Sequence, residues 1–274
     1  MNSTYILKTY PGATQLQKGG QKEVYKYNHP QFGWCVLKIG QCTATSGLER
    51  IKREVEILKE IDSDYFPRQY DFTLPEASTF LIIEEFIAGT PLSGCMNNFY
   101  DPRSAVLLIL DIIEGMKILW SKRVIHRDLK PQNIIVNSMG KPVIIDLGIA
   151  RILDDSSITD TLATAPMTPF YAAPEQIQYS KSDISPKTDQ FNLGIILAQL
   201  LLCGEHPFSP VAAGGLDICS NIINGQWAKI KLQQKIDSEL LIIIEKMLGS
   251  EPYLRYRRID DLTNDFENYI GRIQ

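Results

Sequence analysis

Between Val124 and Ile135 the sequence reads Val-Ile-His-Arg-Asp-Leu-Lys-Pro-Gln-Asn-Ile-Ile, two β-branched pairs around a polar core. That core holds a carboxylate (Asp128), an ammonium (Lys130) and an amide (Asn133) within six residues. A buried strand does not carry such a set, because unpaired charge in an apolar interior is expensive. A loop anchored at both ends by short apolar runs does. Asp128 can orient a hydroxyl and accept its proton, and Lys130 can place positive charge beside an anionic oxygen. Asn133 can offer an oxygen ligand to a hard divalent cation, shared with a later carboxylate. An isolated Asp-x-Lys would read as a solvated turn; the full string argues against that.

Several elements have to fold around this loop. Residues 5 to 39 alternate apolar and polar positions in short runs, broken by Pro11-Gly12, Gly19-Gly20 and Asn28-His29-Pro30. This predicts a strand meander with hairpins. Cys35-Val36-Leu37-Lys38 ends in a lysine that breaks the apolar pattern, and alone Lys38 reads as a snorkelling surface residue. Leu48, Ile51, Val55, Leu58 and Ile61 recur at helical spacing with Glu54 and Glu56 among them, so a helix is expected over 47–61. Phe80 to Gly89 reads as a strand running into an extended linker. Residues 103 to 121 predict a buried helix leading directly into the loop. Pro142 to Asp146 is an apolar strand ending in a carboxylate, followed by Leu147-Gly148. An Asp there is common in ordinary turns, but its place shortly after Asn133 makes it the candidate second metal ligand. Residues 154–164 are polar and rich in Ser and Thr, the pattern of a mobile loop.

Composition narrows the classes. The chain has 274 residues, 44% of them hydrophobic, and a formal net charge of −4. This suits a soluble globular protein of one large or two coupled domains. The slight acidity gives no support for a nucleic-acid or anionic-membrane partner. Apolar runs such as Leu193 to Cys203 are too short to span a bilayer and are broken by Gln199. No basic-then-apolar signal peptide opens the chain. Cysteines 35, 42, 95, 203 and 219 are odd in number with no Cys-x-x-Cys pair. That implies reduced thiols and a cytoplasmic location rather than a disulfide framework or metal site.

From about Leu16 to Arg255 these segments resemble the catalytic domain of eukaryotic-type (Hanks-type) Ser/Thr protein kinases, bacterial members included. The loop matches the family's catalytic loop, and Asp146-Leu147-Gly148 resembles its Asp-Phe-Gly motif. Thr168-Pro169 to Ala173-Pro174-Glu175 matches the end of its activation segment, and Leu248 to Arg255 resembles its Leu-x-x-Asp-Pro-x-x-Arg element, with Glu251 in place of the aspartate. The resemblance implies an α+β, bilobal fold: a small antiparallel β-sheet lobe with one main helix at 1–87, and a larger, mostly helical lobe at 88–274. ATP and Mg2+ would lie in the cleft between them. Asp128, Lys130 and Thr168 would be catalytic; Asn133 and Asp146 would hold the metal. Leu16, Gly19, Gly20, Val24, Val36, Lys38, Glu54, Glu85, Ile87 and Ile135 would bind the nucleotide, with Glu54 as the ion-pair partner of Lys38. Asp189 would cap the catalytic loop, and Arg255 would pair with Glu175. Thr161 and Thr164 are the candidate phosphorylation sites, with Arg127 available to a phosphate there.

The chain also departs from the family pattern. The glycine-rich loop keeps only the middle glycine, Gly19, with Gly20 beside it and Gln17 and Lys22 at the other positions. Leu147 replaces phenylalanine. Glu84 falls at the gatekeeper position, so either it has a partner or the strand shifts by one residue. The expected activity is transfer of the γ-phosphoryl of ATP to protein Ser or Thr hydroxyls. A pseudokinase acting as a nucleotide-binding scaffold is the alternative, and a small-molecule phosphotransferase of the same fold is a further rival. The sequence does not read out an oligomeric state. Gln132 and Thr90 stand where a carboxylate would select substrate arginines. Phosphorylation of a peptide array is therefore expected to show no dominant upstream Arg, and an array dominated by it would refute this.

Overall fold

The computed structural model describes residues 3–18, 22–42, 45–76, 78–146, 170–215 and 217–273. The chain divides into two compact units, with the described residues up to Ala88 in one and those from Gly89 onward in the other.

The first unit is an antiparallel sheet with one main helix. Its strands are β1 (Thr14–Lys18), β2 (Lys22–His29), β3 (Gly33–Gln41), β4 (Gln69–Glu76) and β5 (Thr79–Glu85), in the order β1-β2-β3-β5-β4. Strand β3 is buried from Cys35 to Gly40 and β5 from Thr79 to Glu84, so both faces of the sheet centre are covered. The strand period of two sorts their side chains. Phe80 and Ile82 point to the face covered by helix α2 (Thr45–Lys59), where they pack with Leu48, Ile51 and Val55. Leu37, Ile39, Leu81 and Ile83 point to the other face, with Cys35 and Tyr25. Each such side chain contributes about 1.5–3 kcal/mol by leaving water.

That second face is closed by an element the strand pattern did not predict. Ser3–Leu7 is a short helix, α1, and not the start of a meander. Its Ile6 is buried in the cluster, beside Tyr10, Tyr27, Phe32 and Tyr70. The alternation read around residue 5 arises from packing onto a sheet face, which a single helical turn also produces.

The second unit is mostly helical. Helix α3 (Pro102–Ser121) starts at an Asp101 N-cap that accepts from the Ser104 N–H at 2.9 Å. It packs against α4 (Pro186–Leu201) and α6 (Ile259–Arg272), and α5 (Ser238–Met247) packs against α4 and α6. Helix α4 is apolar nearly all round and buried along almost its entire length, as expected for a helix inside a bundle. A small sheet of β6 (Gly89–Pro91), β7 (Ile134–Asn137) and β8 (Pro142–Ile144) completes the unit. A Cβ on Gly89 would sit 2.4 Å from the Val136 carbonyl oxygen, so glycine is required for β6 to approach β7.

A buried ion pair locks the far end of this unit. Arg255 grips Glu175 in a fork, Nη1 to Oε1 at 2.7 Å and Nη2 to Oε2 at 2.8 Å. Its other donors reach the carbonyls of Gly249, Lys187 and Ser250, and its guanidinium lies 4.7 Å from the Phe191 ring. Thr188 donates to Glu175 as well, at 2.8 Å. All five guanidinium N–H donors are therefore satisfied. Arg255→Met would strand a buried carboxylate and is expected to lower unfolding free energy by about 3–5 kcal/mol. Adding Glu175→Leu to that variant should recover much of the loss. Denaturant melts of the two variants check this, and equal losses would contradict it.

Candidate active site

Asp128, Lys130 and Asn133 converge in the second unit. Helix α3 delivers the chain to Val124, and the polar string follows in irregular backbone, with a single 3-10 turn at Pro131–Asn133. Asp128 Oδ2 accepts from Lys130 Nζ at 2.8 Å and from Asn133 Nδ2 at 2.9 Å. The same amide nitrogen donates to the Asp128 carbonyl at 2.8 Å. With its NH2 group turned to these two oxygens, the amide is oriented with Oδ1 on its other side. The Ile145 N–H donates to the Asn133 carbonyl at 2.9 Å, so Asn133 and Asp146 lie just beyond the paired ends of β7 and β8.

Two residues here hold left-handed backbone, Arg127 at φ 64° and Asp146 at φ 62°. Non-glycine residues reach that region at a cost of about 1–3 kcal/mol, and such strain persists where surrounding contacts over-determine it. For Arg127 those contacts are identifiable. Its N–H donates to Asp189 Oδ1 at 2.9 Å, and its carbonyl accepts from Gln176 Nε2 at 2.8 Å. Asp189, in the first turn of α4, also takes the His126 N–H at 3.0 Å and the Trp120 indole N–H at 2.8 Å. Burial pushes the Asp189 carboxyl pKa up, while His126 and these three donors act against it. Asp189 is thus the cap on the loop that its position implied. Trp120 and Gln176 escaped the sequence reading, because nothing local marks an indole or an amide that acts over tens of residues.

His126 is fully buried, and both of its ring nitrogens are engaged by the backbone around the loop. Its Nδ1 accepts from the Asp128 N–H at 3.3 Å, which leaves Nε2–H to donate to the Ile145 carbonyl at 3.1 Å. A neutral ring in this tautomer satisfies both partners. Burial pushes its pKa below the ordinary value, with Asp189 foremost among the groups pulling the other way.

In the first unit the structure decides the question raised by Glu84. Strand register is regular, with Val36 opposite Glu84 and Lys38 opposite Ile82. Glu84 is buried and partnered: Oε1 lies 2.5 Å from Lys38 Nζ, and Oε2 accepts from Gln69 Nε2 at 3.0 Å. Lys38 is itself buried, not snorkelling. Glu54 lies on α2, but its side chain is outside the described residues, as are Gly19, Gly20, Thr161, Thr164 and Thr168. Val24 and Val36 are buried and Leu16 is exposed. The Glu85 N–H donates to the Arg68 carbonyl at 2.8 Å, whereas Ile87 makes no backbone hydrogen bond among the described residues. Ile135 lies in β7 of the other unit.

As metal ligands, Asn133 and Asp146 offer only hard oxygen donors, the set that magnesium accepts while keeping several of its waters. The described residues hold no group of three or more His, Cys, Asp and Glu placed to bind a metal. No helix among the described residues is long and apolar enough to cross a membrane.

A family model described as "Protein kinase domain" matches residues 14–265. Serine/threonine-protein kinase PknH of Mycobacterium bovis is 27% identical over 254 residues, covering 90% of this chain and 41% of that protein. Serine/threonine-protein kinase PrkC of Bacillus subtilis is 25% identical over 85% of this chain and 35% of its own length. Serine/threonine-protein kinase atg1 of Dictyostelium discoideum is 28% identical over 79% and 33%. The chain therefore spans well under half the length of these curated relatives.

The buried imidazole gives the loop a pH dependence. Folding holds His126 neutral, while the unfolded chain takes up its proton below about pH 6.5. The unfolded state then binds more protons, so stability falls as pH drops from about 7 to 5. Denaturant midpoints across that range should fall less for His126→Gln than for the wild type, and parallel curves would contradict this.

Proposed function

The chain belongs to the protein kinase domain family, and on that premise we propose that it transfers the γ-phosphoryl group of ATP to Ser and Thr hydroxyls of protein substrates. The observation that carries this reading is the anchored Asp128, whose carboxylate is fixed by Lys130 and Asn133 at hydrogen-bond distance. Asp128 orients the attacking hydroxyl and takes its proton as the new P–O bond forms. Lys130 compensates negative charge on the transferring group from beside that carboxylate. Asn133 and Asp146 would hold Mg2+, which when bound neutralises charge on the phosphate oxygens. Lys38 grips the nucleotide phosphates, and Glu54 joins it from α2. Leu16, Gly19, Gly20, Val24, Val36 and Ile135 enclose the nucleotide, with the adenine bonded by the backbone of Glu85 and Ile87.

Lys130 with Thr168 favours Ser/Thr over Tyr acceptors, and the relatives named above carry the same designation in their names. Thr161 and Thr164 are the residues we assign to autophosphorylation, with Arg127 binding the phosphate bidentately. Residues 1–87 and 88–274 correspond to the two lobes of the kinase fold. Five free cysteines support a reducing, cytoplasmic setting. A nucleotide-binding scaffold without turnover would not need Asp128, Lys130 and Asn133 in one hydrogen-bonded set.

Asp128→Asn keeps the shape of the side chain but removes the proton acceptor. It is expected to reduce kcat by about 10²–10⁴-fold in a radiolabelled-ATP assay on a generic protein substrate, with nucleotide binding retained. In the wild-type reaction, mass spectrometry should find phosphate on Thr161 or Thr164. Equal turnover by the two proteins would refute the proposal.

A further inference from the structure

Lys38 and Glu84 meet because of strand arithmetic. Val36 and Lys38 on β3 face the same way as Ile82 and Glu84 on β5, and Lys38 stands diagonal to Glu84 across the pair. The diagonal brings Nζ to 2.5 Å from Oε1, with each side chain only 6% exposed. Glu84 is held from its other side too. Gln69, opposite it on β4, donates to Oε2 at 3.0 Å, and the side-chain amide oxygen of Gln69, Oε1, is buried with no hydrogen-bond partner among the described residues. A carboxylate fixed by two strands of one sheet cannot withdraw by a shift of helix α2.

We propose that Glu84 is a resident counter-anion that competes with nucleotide phosphates for the Lys38 ammonium, and so sets how strongly this protein binds phosphorylated adenine nucleotides. The inference rests on the assignment of Lys38 to the phosphates. An unpaired lysine offers a full positive charge to an incoming anion, whereas Lys38 is already neutralised at contact distance inside the sheet. Phosphate oxygens must share the ammonium with Glu84 and approach the carboxylate's own negative charge. One of the three N–H donors is engaged by Glu84, and direction as well as charge is constrained. The penalty falls on the phosphates and not on the base, so it separates nucleotides from the nucleoside.

Glu84→Gln removes the charge and keeps length and shape. By titration calorimetry in the presence of Mg2+, it should bind ATP and ADP on the order of tenfold more tightly than wild type. Adenosine affinity should stay within about twofold, because adenosine carries no phosphate to compete. The gain should vanish on a Lys38→Met background. Glu84→Met, uncharged and of similar length, repeats the test if the Gln variant folds poorly. Unchanged or weaker ATP binding, or a parallel change for adenosine, would overturn the proposal while leaving the role of Lys38 intact. If Lys38→Met alone leaves ATP affinity unaltered, the Lys38 assignment fails and this inference fails with it.

Discussion

The loop from Val124 to Asn133 depends on one buried carboxylate. Asp189 takes the backbone N–H groups of His126 and Arg127, which the loop's irregular path leaves without a ladder partner, and the indole N–H of Trp120 from the end of α3. An unsatisfied buried donor costs about 1–3 kcal/mol, so the loop is held in this path more by what it would lose elsewhere than by its own local preference. Arg127 holds its left-handed backbone within these bonds, and the carboxylate of the next residue, Asp128, meets Lys130 and Asn133.

The same rule, that buried charge must be matched, recurs at three places. Arg255 and Glu175 satisfy each other at the end of the helical unit. Asp189 is satisfied by neutral N–H groups. Lys38 is matched by Glu84 from a neighbouring strand. The first two are scaffolding, because each buried carboxylate takes three hydrogen bonds from the protein's own donors. The third involves a group proposed to meet substrate, and there the match has a functional consequence: an ammonium already neutralised by the fold is a weaker phosphate ligand than its residue type suggests.

Much of this was readable in the residue order. The string from Val124 to Ile135, the carboxylate ending the 142–146 run and the spacing of Leu48, Ile51 and Val55 are local patterns. Local patterns are what periodicity and motif spacing encode. The expected helix over 47–61 is found at Thr45–Lys59, and that over 103–121 at Pro102–Ser121. Helix α1 was missed because five residues are too few for a helical period to separate from strand alternation.

By itself the sequence determined which chemical groups are present and which short segments carry them, because hydrophobic period and residue type are properties of neighbours along the chain. Only the tertiary structure decided who partners whom. Glu84 meeting Lys38, Gln69 bracing Glu84, and Trp120 and Gln176 holding the loop are contacts across 15 to 69 positions. Strand register and helix packing set those distances, and a one-residue slip between β3 and β5 would have turned Glu84 to the opposite face of the sheet.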